Sequence, residues 1–203
     1  MINYIKIRLL RFLSNHFQKI EEKTIESDPN LKLGSNSSIE NPKVISGAEN
    51  ISIGSNTSIG HSSWIAAFNS YLNQNFSPNI IIKNNVRIGN YACITAIDEI
   101  VIEDGCLFSE YVYISDHYHG VDPSTNLSPK DQPLFSKGKV FIGKNTFVGY
   151  RVTILSGVTL GRNCVIGSHS VVNKSFPDYS MIAGSPAKVI KTFKKEKNDW
   201  IDA

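Results

Sequence analysis

Ionisable side chains crowd into one short stretch of this chain, VYISDHYHGVDPST, from Val112 to Thr125. It holds Asp116, His117, His119 and Asp122. An imidazole titrates near neutral pH, so it can take a proton from a hydroxyl group that is otherwise a poor nucleophile. A carboxylate beside it can fix which ring nitrogen carries the hydrogen. His117 and His119 are therefore rival general bases, and Asp116 and Asp122 are candidates for orienting one of them or for meeting substrate. Aspartate next to Pro or Gly also closes turns, and for these two that structural reading weighs slightly more. A metal site is a weaker use of the same chemistry, because His16, His61 and His169 lack the spacing to join the loop histidines, and no metal is expected.

What must position these residues is a repeat. From Lys139 to Lys174 an aliphatic residue returns at every sixth position: Ile142, Val148, Ile154, Leu160, Ile166 and Val172. Gly143, Gly149, Gly161 and Gly167 follow four of them, as suits a corner where a side chain would clash. Earlier series continue the pattern with shifts: Leu33, Ile39, Ile45; Ile53, Ile59, Ile65; Ile82, Ile88, Ile94; and Ile102, Phe108, Ile114. An amphipathic helix repeats at three and four residues and a sandwich needs hairpin turns, so neither accounts for this period. Three units make a triangular coil that buries its aliphatics only by stacking, and about six coils give an all-β solenoid roughly 29 Å tall. Two segments break the period and are expected as surface loops, residues 66–80 and 115–139. The histidine stretch opens the second, and His61 and His169 read as surface residues at corners.

The ends differ from the body. Residues 1–24 place Ile2, Ile5, Leu9, Leu13, His16 and Ile20 on one helical face, which predicts an N-terminal helix packed on the prism or on a partner, with a membrane surface as the alternative. Residues 25–187 form the solenoid domain. Residues 188–203 carry Lys188, Lys191, Lys194, Lys195 and Lys197 and read as a short basic C-terminal helix. The net charge of +3 over 203 residues comes largely from this tail, so it does not mark a nucleic-acid-binding protein. No apolar run is long enough to span a bilayer, and a cytoplasmic protein is expected. Cys93, Cys106 and Cys164 are odd in number and far apart, which fits buried thiols better than a disulfide framework.

Three passages, VFIGKNTFVGYRVTILSGVTLGRNCVIGSHSVV, SDHYHGVDPST and IAGSPAKVI, together resemble the hexapeptide-repeat acetyltransferases of the left-handed parallel β-helix class, in particular the sugar and polysaccharide O-acetyltransferases. The resemblance covers nearly all of residues 33–191. It implies acetyl transfer from acetyl-CoA to a hydroxyl of a carbohydrate acceptor, such as a capsular polysaccharide or lipopolysaccharide. It also implies a homotrimer with sites between subunits and a cytoplasmic setting, at most peripheral to the inner membrane face. The family pattern His-x-x-Asp-x-Ser-Thr falls on HGVDPST and implies His119 as the base, with His117 as its rival. Donor contacts implied by the resemblance are Gly149, Ser168, Asn173 and Lys174, with Lys188 and Lys191 near the adenosine phosphates. Where relatives carry Trp in VWIG this chain has Phe147, which keeps an apolar wall and loses the indole N–H, and Tyr150 is its stand-in. Competing readings are N-acetylation of a nucleotide-linked amino sugar, with Trp64, Phe68, Tyr71 and Phe76 stacking on the ligand, acetylation of a streptogramin-type antibiotic, and a non-catalytic or carbonic-anhydrase-like β-helix.

Overall fold

The computed structural model describes residues 29–203, so the helix expected over 1–24 lies outside the described residues. Among the described residues three parallel sheets are stacked along one axis, the arrangement typical of a left-handed β-helix. The first face stacks six strands, from Lys32–Leu33 to Thr159–Leu160, and the third stacks six, from Val44–Ser46 to Val171–Val172. The second begins with Ser38–Ile39 and has nine.

The six-residue period sets the register. Ile53, Ile82, Ile102, Ile142 and Leu160 stand directly above one another on the first face. Ile59, Ile88, Phe108, Val148 and Ile166 do so on the second, and Ile65, Ile94, Ile114, Ile154 and Val172 on the third. All fifteen are buried at 3% exposure or less, so the interior is three apolar columns, aliphatic but for Phe108, meeting on one axis. Leu33, in the first strand of the stack, is exposed.

The corners follow backbone sterics. Between the first and second faces the left-handed position is taken by Asn36, Asn56, Asn85, Asn145 and Asn163, residues whose short polar side chains tolerate positive φ. Between the second and third faces the same role falls to Ser62, Tyr91, Tyr111, Arg151 and His169. Rings from successive coils touch there: His61 on Tyr91 at 4.9 Å, Tyr91 on Tyr111 at 4.6 Å, Tyr111 on Tyr150 at 5.6 Å and Tyr150 on His169 at 5.6 Å.

Both irregular segments leave the prism at its remaining edge, between the third and first faces. The first departure is narrower than the period break indicates, because Trp64–Ala67 and Asn79–Ile82 are regular strands; what projects is a hairpin, Ser70–Tyr71 paired antiparallel with Gln74–Asn75. The second projects an arm in which Tyr118–His119 pairs antiparallel with Leu134–Phe135.

The expected C-terminal helix is corrected by the structure. Lys188–Lys194 is a strand antiparallel to Ser180–Ala183, and Asp199–Asp202 pairs antiparallel with it. The physical reason is the open edge of the second face: a strand there satisfies backbone groups that a helix would leave unpaired. Phe193 then packs against Trp200 at 5.5 Å and Tyr179 at 6.2 Å.

Candidate active site

The residues of the opening stretch separate according to what the solenoid can reach. Asp116 follows the third-face strand Tyr113–Ser115 and has no solvent exposure. One coil below, the chain rounds the same edge at Ile97 and Asp98, and the backbone N–H groups there donate to Asp116 Oδ1 at 2.9 Å and Oδ2 at 2.8 Å. His117 Nδ1 lies 2.9 Å from Asp116 Oδ1. A buried carboxylate needs donors to offset its desolvation, and this one has two amides and an imidazole. The acceptor at Oδ1 calls for the hydrogen on Nδ1, which leaves Nε2 of His117 with a free lone pair.

Other contacts hold the ring. Ser115 Oγ is 3.3 Å from His117 Nδ1 and donates to the His117 carbonyl at 2.9 Å, while Thr95 Oγ1 donates to Ser115 Oγ at 3.2 Å. Phe68 meets the imidazole edge to face at 5.9 Å. The His117 side chain keeps 11% exposure, enough to meet a small ligand and little enough to limit bulk water. It lines a cleft of about 320 Å³ together with Tyr118, Lys137, Leu155, Ser156 and Asn173.

His119 sits in a different setting. It is exposed on the arm, its Nδ1 3.4 Å from the Tyr71 hydroxyl and its ring 5.4 Å from the Tyr71 ring. Asp122 caps a short 3-10 turn, accepting from the Ser124 hydroxyl at 2.7 Å and the Ser124 N–H at 2.8 Å. Those bonds, the hydroxyl's first, hold its carboxyl below the usual range. Neither residue lines the cleft of His117.

The root of the arm is fastened to the solenoid. The Asp116 carbonyl accepts from Ser136 Oγ and Ser156 Oγ, each at 2.6 Å. Ser136 Oγ in turn accepts from Gly138 N–H at 2.9 Å and Ser156 Oγ from Lys137 N–H at 2.7 Å. Outgoing and returning chains therefore meet at one carbonyl, which fixes Lys137 beside His117.

The residues expected to meet the donor lie on two edges of the prism and on the extension of its second face. Asn173 shares the cleft with His117, and Lys174 follows it, its ammonium 5.5 Å from the Phe176 ring. Gly149, Tyr150 and Ser168 lie at the edge between the second and third faces, where Ser168 Oγ accepts from Tyr150 N–H at 3.2 Å. Phe147 is exposed on the second face between Leu107 and Val165. Lys188 and Lys191 belong to the strand that extends that face, and Lys191 pairs with Asp202 at 3.3 Å.

Sequence reasoning passed over Ser115, Tyr118, Lys137, Leu155 and Ser156. The repeat holds a signal for the last two: they follow Ile154, which is stacked on Ile114, so they occupy the corner above Asp116. Among the described residues no group of three or more His, Cys, Asp and Glu could hold a metal ion, and no helix is long and apolar enough to cross a membrane.

Residues 139–174 match the family described as bacterial transferase hexapeptide, six repeats. The chain is 43% identical over 108 residues to a probable acetyltransferase of Mycobacterium tuberculosis, covering 53% of this chain and 35% of that protein. It is 35% identical over 126 residues to a putative lipopolysaccharide biosynthesis O-acetyl transferase of Escherichia coli, covering 60% and 64% respectively. The chain thus spans less than two thirds of either relative's length. In fold it is similar to AntD, an N-acyltransferase of Bacillus cereus solved with dTDP and coenzyme A. The TM-score is 0.68 at 20% identity, over 87% of this chain and 91% of that one.

Proposed function

The chain belongs to the hexapeptide-repeat acetyltransferase family, and from that premise we propose that it transfers acetyl from acetyl-CoA to a sugar hydroxyl, with His117 as general base. One observation carries the choice of base: His117 alone of the two histidines is held by a buried carboxylate, with its Nε2 left free beside a cleft. The sequence pattern favours His119, and the geometry favours His117 in its place.

In this reading Nε2 takes the proton of the acceptor hydroxyl as its oxygen attacks the thioester carbonyl. The C–O bond forms, the tetrahedral intermediate collapses, the C–S bond breaks, and the proton on the imidazole leaves with the CoA sulfur. Asp116 holds the tautomer and faces the positive charge that appears on the ring, without being protonated itself. Asn173 and Lys174 meet the donor near the cleft, and Lys188 and Lys191 suit its phosphates as point charges. Because Gly149, Tyr150 and Ser168 sit on another edge, one complete donor site takes two copies of the chain, in keeping with a homotrimer. The acceptor class in this reading is a capsular polysaccharide or lipopolysaccharide, a choice supported by the name of the E. coli relative, a putative lipopolysaccharide biosynthesis O-acetyl transferase.

The test is CoA release by the purified protein with acetyl-CoA and a panel of capsular and lipopolysaccharide oligosaccharides, with an amino-sugar nucleotide as the N-acetylation arm. His117→Ala is expected to lower kcat by about 10²–10⁴-fold, and His119→Ala by less than about tenfold. Equal losses in both variants, or a larger loss at His119, overturn the assignment. Transfer to the amino sugar alone overturns O-acetylation.

A further inference from the structure

The hairpin and the arm leave the same edge of the prism with one coil between them, and that coil rounds the edge with only Ile97 and Asp98 outside its strands. A two-residue turn therefore suffices to close a coil at this level, and closure alone does not account for the hairpin. What the hairpin touches is the arm. We propose that it is a clasp that positions the histidine arm over the cleft, with Gln74 as its positioning residue; the catalytic part of this inference rests on the acetyl transfer proposed above.

The geometry is that of a missing strand. Leu134 is buried and stands opposite His119 in the arm's own β pair. Its N–H donates to Gln74 Oε1 at 2.7 Å, and its carbonyl accepts from Gln74 Nε2 at 3.1 Å. One side-chain amide thus supplies both the acceptor and the donor that a neighbouring strand would present. Tyr71, on the other strand of the hairpin, donates its hydroxyl to the Lys130 carbonyl at 2.5 Å and carries its ring against His119. The root of the arm is fixed by the solenoid through Ser136 and Ser156, whereas its far part is held by the hairpin. Tyr118, between root and clasp, is a wall of the cleft. Losing the clasp leaves the arm free to swing about its root, which moves Tyr118 and lets water reach His117.

The experiment compares wild type with Gln74→Leu, which keeps bulk and loses both bonds, and with Gln74→Glu, which keeps the acceptor for Leu134 N–H and loses the donor. Hydrogen exchange is read in peptides within residues 120–132, which exclude the directly affected Leu134 amide. It is expected to quicken at least tenfold in Gln74→Leu, with kcat falling at least tenfold, KM for acetyl-CoA staying within twofold, and Gln74→Glu lying between. Unchanged exchange overturns the clasp. Faster exchange with unchanged kcat reduces it to structural support and overturns the positioning role. A wild-type protein that acetylates no acceptor sinks the proposed activity, while the exchange result still decides whether the hairpin holds the arm.

Discussion

Asp116 and His117 are adjacent in the chain, yet what holds the carboxylate against the imidazole comes from elsewhere in the sequence. The Ile97 and Asp98 amides that hold the carboxylate belong to the coil below, and the Ser156 hydroxyl that grips its carbonyl belongs to the coil above. The histidine stretch was legible as a candidate for chemistry. Which ring acquires a buried anion was not, because that depends on which corner amides lie under which carboxylate. The same burial governs the thiols. Cys106 stands inside the corner, in the position that Val86 holds one coil earlier, with Sγ 3.3 Å from the Gly143 carbonyl. Desolvation, the largest influence on it, pushes its pKa up from 9.0 to about 11. Below pH 9 the thiol is protonated whether the chain is folded or unfolded. Between pH 9 and 11 only the unfolded chain ionises, so stability falls as pH rises through that window, by about 3 kcal/mol for a two-unit gap. Cys106→Val is expected to lack this part of the alkaline loss. Urea denaturation at pH 8.5 and pH 11 checks it, and parallel declines in both proteins sink the attribution to Cys106.

At the scale of the element, the hexapeptide period was the most legible feature, because one rule places the three stacked columns: an apolar residue at every sixth position, with a tight corner after it. Gly143 shows how tight. A Cβ there would lie 2.5 Å from the Gly161 carbonyl carbon and 2.6 Å from the Arg162 nitrogen, both backbone atoms of the next coil. Neither can move without shifting a strand. Gly143→Ala is therefore expected to cost about 1–3 kcal/mol, in the range of overpacked cores, seen as a lower urea midpoint with an unchanged m-value. A neutral outcome would mean that neighbouring coils slide more freely than three registered columns allow. Legibility fails where the period stops. Lys188–Lys194 has the lysines of a solvated helix, and that reading rests on them alone, since Val189, Ile190, Thr192 and Phe193 favour a strand. It loses to the unpaired edge of Ser180–Ala183, a demand set by the end of the stack and invisible in the segment itself.

For the whole molecule, the prism shape determines what one chain can bring together. Its corners repeat up three separate edges. His117, Asn173 and Lys174 occupy the edge between the third and first faces, and Gly149, Tyr150 and Ser168 the one between the second and third. The sequence shows these as neighbours, since Ser168 and Asn173 are five positions apart. In a solenoid five positions are nearly one face, so closeness in sequence becomes separation onto different edges. If both sets serve one donor, the second set comes from another copy, and loss of one edge can be rescued by a chain damaged at the other. Co-expression of His117→Ala with Ser168→Trp tests this. Each variant alone is expected to be nearly inactive, the first for want of a base and the second because an indole fills the donor's path. If neighbours assemble at random, about one quarter of the sites in the mixture pair an intact histidine edge with an intact donor edge. Activity should return to about that fraction, provided the chains assemble together and are not mixed after folding. A mixture no more active than its parts, at a mass that light scattering shows to be oligomeric, would confine each site to a single chain and remove Tyr150 and Ser168 from the donor's path.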